Sequence, residues 1–470
     1  MSEIVVQGAL QFEPNGKDVK DLDLDHLARQ TAILNDLLRI YGRIDRTRES
    51  EFERAAFRDT IEALQQSLYP WITAAKGDRR SYISFFDLID SYEEEAGIVI
   101  TVGKNGGFRW AVHQIVTLRA VLRSTLPIEV FYAGDEDLPT EYREFIDEIQ
   151  STYDGYGTIT IIDINHRFLD PDGTLGLPGG WAMRPFAMLA SSFKHVILSD
   201  ADTIFLRDPR VLLQESTYQH YGSVFWHDRI LDPAKDEIYN WADELLARAK
   251  VKDLDKVKEE NAGWFSRRTW YELERYGNFL SMLTKSGALI VDKTRNLGAL
   301  LMTCYMNSKR VREEITYVRF WGDKESYWFS HTLTSTPYHY VPGYAGGIGT
   351  ITPQTANADK EHVCTSRILH LLESTGEPFW FNSGLSEFKW HNDDKYSVPD
   401  GWVGHNAEWY KDPGATRLDQ FCAQVPEGFL RLQDPVKRVE GALKRALEEM
   451  IQLAKTYDDL MVHAGLIKIA

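Results

Sequence analysis

His195-Val196-Ile197-Leu198-Ser199-Asp200-Ala201-Asp202-Thr203-Ile204-Phe205-Leu206 reads as a buried β-strand that ends in two carboxylates two residues apart. Residues i and i+2 of an extended chain point to the same side, so Asp200 and Asp202 can converge on one point. Side chains at the carboxyl end of an inner strand face the crevice where open α/β sheets bind ligands. Two carboxylates there make a hard-oxygen site suited to Mg²⁺ or Mn²⁺, with positions open for a diphosphate. The plainer alternative is a turn in which an Asp caps the next element. The apolar run ahead of the pair favours the site.

Working outward, the texture on both sides is α/β. Gly97–Gly103 is a short buried strand; a loop, Lys104-Asn105-Gly106-Gly107, follows, then a helix from about Phe108 to Arg123. Strands at Ile128–Gly134 and Thr158–Asp163 enclose a helix from about Thr140 to Tyr153. Trp181–Phe193 is an amphipathic helix that delivers the chain to the carboxylate strand. Strands alternating with helices indicate a mostly parallel sheet with right-handed crossovers. Further strands are expected at Ser223–Asp228, Gly287–Lys293 and Ser366–Leu372, a Gly-rich loop after His339, and an aromatic loop from Trp380 to Trp402. The expected division is a helical N-terminal extension over 1–96, a catalytic domain over 97–433 and a helical tail over 434–470.

Composition narrows the function. The chain has 470 residues, is 43% hydrophobic and carries a formal net charge of -17. Such an acidic surface argues against general nucleic-acid binding, so an anionic ligand needs a local positive site. Cys304, Cys364 and Cys422 are few, odd in number and far apart; neither metal-ligand spacing nor a disulfide framework is expected. There is no Asn-x-Ser/Thr acceptor, no apolar run of about 18 residues and no signal-peptide pattern at the N-terminus. As written, the chain is expected to be soluble.

Several residues could carry chemistry. Gly103 and Lys104 open a loop that could approach a nucleotide at a helix N-terminus, although a plain turn would look the same. Arg184 could reach a phosphate as a bidentate donor, or could simply lie on the surface. His370, inside an apolar strand, is either a satisfied core residue or a nitrogen ligand to a metal held by Asp202. Asp323 and Glu325 at a helix start are either caps or carboxylates facing a reacting sugar, whose cation-like centre an anion stabilises. Trp380 is the aromatic singled out as a sugar-binding face.

Together these blocks carry a resemblance. The order Gly97–Gly103, Leu118-Arg119 with Leu126–Val130, Arg184–Asp202, Ser286–Lys293, Gly322–Glu325 and Leu369-His370 resembles the fungal α-mannosyltransferases, best known as Golgi α-1,3-mannosyltransferases. The resemblance covers roughly Gly97 to Trp390. It implies a GT-A-like fold (a single Rossmann-type mixed sheet flanked by helices), GDP-mannose as donor, a divalent metal, usually Mn²⁺, and retention of the α configuration. It also implies residue roles. Asp202 would bind the metal, Asp200 the ribose or a metal-bound water, and His370 would be the third ligand. Ser286, Gly287 and Ala288 would line the sugar and acceptor site, and Asp323 and Glu325 would lie near the anomeric carbon. The acceptor would be a glycan, glycoprotein or small molecule. The chain departs from such families in showing no membrane anchor and no glycosylation site, and in having Arg at 184 where Lys is more usual. A Golgi lumen location would follow if an anchor had been removed, a cytoplasmic one otherwise.

Two other classes compete. Asp200-Ala201-Asp202-Thr203 partly fits the nucleophile motif of haloacid-dehalogenase-type phosphatases, in which the first Asp attacks phosphate and a later carboxylate pair holds Mg²⁺. Here position 204 is Ile where that motif wants Thr, and Asp393-Asp394 does not follow a buried strand. A non-catalytic nucleotide-sugar binder is the third reading, and it has no need of a diphosphate-activating metal.

Overall fold

The computed structural model describes residues 24–44, 51–73, 82–104, 107–168, 170, 173–177, 179–228, 236–251, 284–320, 322–354, 361–387, 395–405, 407–410, 421–424, 430–431 and 438–469. Among the described residues, three α-helices, α1 (Leu24–Arg43), α2 (Glu51–Leu68) and α3 (Phe85–Asp90), precede the first strand. A seven-stranded sheet follows from β1 (Glu94–Thr101), β2 (Ile128–Tyr132), β3 (Ile159–Asp163), β4 (Phe193–Ser199), β6 (Ser223–His227), β7 (Thr284–Asp292) and β8 (His339–Val341), in the order β3-β2-β1-β4-β7-β6-β8. β3, β2, β1 and β4 are mutually parallel, β7 runs antiparallel to β4 and β6, and β8 is parallel to β6. This is the expected Rossmann-type mixed sheet, flanked by helices.

Both faces of this sheet are covered, and strand alternation shows how. Ile98, Ile100 and Ile197 pack on one side with Phe108 and Val112 of α4 (Phe108–Val116). Val99, Val196 and Leu198 pack on the other with Phe186 of α6 (Arg184–Ala190) and Leu27 of α1. A strand apolar on both sides is what a two-faced sheet requires. The N-terminal helices thus share the main core: α1 also bonds α9 (Lys293–Met306) through Asn35, whose Oδ1 accepts from the Gly298 N–H at 2.8 Å. Other helices among the described residues include α5 (Thr140–Thr152), α7 (Ser216–Tyr221), α8 (Asp236–Ala249), α10 (Lys324–Leu333) and α11 (Arg438–His463). The first of the expected tail residues lie outside the described ones, but Leu447, Met450 and Ala454 of α11 are buried.

Beside it stands a nine-stranded antiparallel sheet where the sequence reading expects mostly loop. It contains β5 (Thr203–Phe205), β9 (Gly346–Pro353), β10 (Glu361–Thr365), β11 (Ile368–Leu371), β12 (Pro378–Asn382), β13 (Gly401–Val403), β14 (Glu408–Tyr410), β15 (Phe421–Gln424) and β16 (Leu430–Arg431). The expected Gly-rich loop is β9, whose glycines admit close strands: a Cβ on Gly346 would lie 2.1 Å from the Val403 carbonyl oxygen. Trp380 lies not on a loop but on β12, paired with His370 and Phe205. The cysteine expectation is also corrected. β10 and β15 pair so that Cys364 faces Cys422, and a disulfide joins them; their separation of 58 residues hides this from the sequence.

Candidate active site at the sheet junction

The chain leaves the first sheet at Ser199 and enters the second at Thr203, so Asp200-Ala201-Asp202 is the link between the two sheets. Its backbone is fixed from both sides. The Asp200 N–H donates to the Gly287 carbonyl at 2.8 Å, and the Gly384 N–H donates to the Asp202 carbonyl at 2.8 Å. Gln114, buried on α4, completes the hold. Its Nε2 donates to Ser199 Oγ at 2.6 Å, the Asp200 carbonyl at 3.0 Å and the Thr203 carbonyl at 2.6 Å. Sequence reasoning missed Gln114, because its partners lie 85 to 89 residues away.

The side chains form one charged group. Pro185 sets the first turn of α6, and Arg184 beside it is buried rather than on the surface. Arg184 Nη2 lies 2.7 Å from Asp200 Oδ1, and Nη1 donates to Asp323 Oδ1 at 3.2 Å. Asp323 precedes α10, but its side chain makes no capping bond; its Oδ2 accepts from Tyr327 Oη at 3.0 Å. Asp202 Oδ1 accepts from Asn382 Nδ2 at 2.6 Å. Asn382 is a second missed residue, 180 positions downstream of its partner. Glu325 is buried as well and accepts from Trp328 Nε1.

Burial pushes the Asp200 carboxyl up, Arg184 opposes that rise, and the neighbouring Asp202 adds to it. Burial works against the Arg184 charge, yet Asp200 and Asp323 more than offset it and raise its pKa. The site therefore gathers three carboxylates around the Arg184 guanidinium, with Lys324 as a second positive charge acting on Asp200, and a buried group with surplus negative charge favours a cation.

Other expected residues fall as follows. Gly287 follows Ser286 on β7, and a Cβ on Gly287 would meet the Trp380 ring at 2.5 Å, so the glycine makes room for the indole. Trp380 is fully buried between Gly287 and His370, onto whose ring it stacks at 4.0 Å and 24°. The expectation that Trp380 offers a sugar-binding face is corrected: an indole with no exposed area is core. His370 thus reaches the carboxylate turn through Trp380 and Gly287. Among the described residues, Asp200, Asp202 and His370 are not a set whose ligand atoms lie within 4.8 Å of one another; His362, Cys364 and Cys422 are such a set. The Lys104 N–H donates to the Asp137 carbonyl at 2.7 Å while its side chain is exposed, and the Gly107 N–H donates to the Gly103 carbonyl at 3.4 Å. Asn105, Gly106, Trp321, Trp390, Asp393 and Asp394 lie outside the described residues. An Asp200 nucleophile, as a phosphatase needs, is at odds with an Asp200 oxygen held by Arg184.

Other blocks of the resemblance turn out to be structural. Buried Arg119 donates to the carbonyls of Ser124 at 2.8 Å and Gly157 at 3.1 Å. Buried Lys293 donates to the Ser191 carbonyl at 2.6 Å and sits 3.4 Å from the centre of the Tyr92 ring. Both close chain ends that would otherwise leave buried carbonyls unsatisfied.

The model of a family described as "Mannosyltransferase putative" matches residues 95–372, more than half of the chain. Among relatives, "Putative alpha-1,3-mannosyltransferase MNN14" of Candida albicans is 21% identical over 383 residues, covering 72% of this chain and 51% of that protein. "Alpha-1,2-mannosyltransferase MNN2" of the same organism is 24% identical over 232 residues, covering 46% of this chain and 36% of that one. The chain spans about half or less of the length of these relatives. Of solved structures, the galactosyltransferase LgtC is 13% identical over 52% of this chain and 73% of its own, at a TM-score of 0.30; at that score the likeness adds nothing to the topology above.

Proposed function

The chain belongs to the mannosyltransferase family whose model it matches, and from that premise we propose that it is a metal-dependent retaining glycosyltransferase. It moves mannose from GDP-mannose, with α linkage, to a hydroxyl of a glycan, glycoprotein or small-molecule acceptor. The observation that carries this reading is the buried Asp200–Arg184–Asp323 chain beside Asp202, at the link between the sheets. The donor set fits a hard divalent cation such as Mn²⁺ or Mg²⁺: Asp200 and Asp202 are carboxylates, both more than nine-tenths buried. They would hold the ion; His370, stacked on the buried Trp380 ring and not grouped with the two carboxylates, is not proposed as its ligand. When bound, such an ion neutralises the diphosphate leaving group.

The chain's own residues do the rest. Arg184 holds Asp200 and Asp323 in one arrangement and supplies fixed positive charge where a diphosphate would lie. Asp323, which has no exposed area and accepts from both Arg184 and Tyr327, would act on the reacting centre only through Arg184, as a positioning residue; Glu325, bonded to Trp328, supports the start of α10. Gln114 and Asn382 are positioning residues for the turn. The Cys364–Cys422 disulfide supports an oxidising compartment such as a secretory lumen. No helix among the described residues is long and apolar enough to cross a membrane.

The test is Mn²⁺-dependent hydrolysis of GDP-mannose to GDP and mannose. Asp202→Ala should abolish it while the melting temperature is kept. Full activity in that variant would overturn the metal assignment. A thermal shift with UDP-sugars and none with GDP-mannose would move the donor and leave the reaction class intact.

A further inference from the structure

We infer that Asp137 reads the nucleobase of the donor: its carboxylate accepts the ring N–H of a keto base, in guanine the N1–H together with the 2-amino group. The inference rests on the glycosyl-transfer reading above for the presence of a nucleoside diphosphate, and it adds the residue that chooses the base.

Strand order fixes where a nucleotide can lie. In the order β3-β2-β1-β4 the chain runs outward from β1 to β3 and then returns to the other side of β1. That reversal opens a crevice at the carboxyl ends of β1 and β4, the place where such sheets take nucleotides. The carboxylate turn follows β4, and the loop after β1 lies against it: a Cβ on Gly107 would sit 3.8 Å from the Ala201 Cβ. Asp137 comes from the loop after β2, the strand on the far side of β1. Its carbonyl accepts from the Lys104 N–H at 2.7 Å, which ties the two loops together. Two strand spacings separate β4 from β2, about 10 Å. A diphosphate held at Asp200 and Asp202 would thus extend its nucleoside across Gly103 toward Asp137, with the base at the far end.

The Asp137 carboxylate is fixed in place with acceptor capacity to spare. Its Oδ2 accepts from the Ala133 N–H at 3.0 Å. Its Oδ1 presses on two glycines: a Cβ on Gly103 would lie 2.3 Å from it, and a Cβ on Gly179 3.0 Å. Gly179 has φ +83°, a conformation that glycine reaches without strain. A side chain at either position would push the carboxylate aside. The residue is half-buried, and among the described residues Oδ1 accepts no hydrogen bond. Burial raises the carboxyl pKa, and the Ala133 N–H and the Lys104 charge oppose the rise. A carboxylate offers about four acceptor positions, so the bond to Ala133 leaves room for two more.

Base chemistry then sets the selectivity. Guanine presents N1–H and a 2-amino N–H side by side, which match the two oxygens of one carboxylate. Uracil presents a single ring N–H. Adenine and cytosine present a bare ring nitrogen at the same edge, and a carboxylate repels it.

The experiment measures binding of GDP, UDP, ADP, CDP and xanthosine diphosphate, with Mn²⁺ present, by calorimetry to wild type, Asp137→Asn and Asp137→Ala. Asn keeps a carbonyl for the Ala133 N–H, so the melting temperature of that variant should match wild type. Wild type should bind GDP at least about tenfold more tightly than ADP or CDP. Asp137→Ala should weaken GDP by about 10- to 100-fold, the range for losing hydrogen bonds to a charged group, and leave ADP and CDP unchanged. Asp137→Asn should lose GDP and gain xanthosine diphosphate, whose 2-carbonyl accepts from the new amide. Equal weakening of every diphosphate, or GDP unaffected in both variants, would overturn the assignment even if GDP-mannose is hydrolysed. If wild type instead selects UDP and Asp137→Ala loses that selectivity, Asp137 remains the base reader and only the GDP-mannose donor falls. Binding of none of the diphosphates would overturn this inference and the glycosyl-transfer reading together.

Discussion

Two buried charge clusters flank helix α4, and they are built to opposite ends. At the sheet junction, Asp200, Asp202 and Asp323 gather around Arg184. On the other side, a single carboxylate, Asp458 of α11, is surrounded by donors. Arg109 Nε and Nη2 reach it at 2.9 and 2.6 Å, His113 Nε2 donates to it at 2.8 Å, and Tyr396 Oη also donates to it. Both aspartates are buried, yet their acidities move in opposite directions. Burial raises Asp200, and Arg184 with Lys324 does not reverse that against Asp202 and Asp323. Burial also opposes the Asp458 charge, but the hydrogen bonds from His113 and Arg109 outweigh it and hold that carboxyl well below the usual range. The Asp458 cluster has its cation, Arg109, built in and is complete as a fastening. The Asp200 cluster is short of positive charge, as a site for a cationic ligand must be.

The contrast can be broken most decisively at Asp202. Asp202→Asn should cut Mn²⁺-dependent turnover by more than about a hundredfold, with the melting temperature unchanged or raised because surplus negative charge is relieved. A clear fall in melting temperature with activity kept would mean that this cluster is structural too. Asp458→Asn should do the reverse. Leaving Arg109 without its carboxylate inside the protein should cost about 3–5 kcal/mol of stability, read by urea denaturation, while the surviving folded enzyme keeps its KM for GDP-mannose.

Between the clusters stands Gln114. Gln114→Leu removes three bonds to the carboxylate turn, including its donor to the buried Thr203 carbonyl, while the Asp200 carbonyl keeps the Thr203 N–H, at a cost of about 1–3 kcal/mol. It should also weaken Mn²⁺ activation, seen as a higher half-saturating metal concentration; a stability loss with unchanged metal response would limit Gln114 to packing.

The smallest effect concerns a buried group that is neutral. His331 on α10 donates Nδ1–H to the Tyr327 carbonyl, and its Nε2 accepts from Ser223 Oγ, which is itself fixed by Asn296. Burial lowers its pKa from 6.5 to about 4. The unfolded chain therefore binds a proton that the native protein refuses, and stability should fall as pH drops from 6.5 to about 4. His331→Gln should flatten that segment of a stability–pH curve, and an unchanged slope would remove His331 as its source.

What could be read in advance follows from how local each cause is. Ile98–Ile100 and His195–Ser199 are apolar runs whose strand character needs no partner to be seen. Asp200 and Asp202 belong to one turn, and Arg184 precedes a proline, so all three were visible as a group. Gln114 and Asn382 were not, since neither carries a motif and each acts only through contacts far along the chain. The second sheet was hidden for a similar reason: its glycines and aromatics look like loop until β9 lies against β10, β11 and β13. Trp380 was misplaced by the same rule, and Cys364 found its partner only through the register of β10 and β15.

Arg109 and Asp458 are separated by 349 residues, and this spacing sets an order of events during synthesis. Helix α4 emerges from the ribosome well before the carboxylate that fastens it. Until α11 is made, Arg109 and His113 have no counter-charge, although Gln114, one residue further along, already has the turn within reach. The carboxylate turn can thus be drafted before α11 exists but is locked only once Asp458 has been made, so a chain that stalls before residue 458 is left with an unfastened helix behind its carboxylates.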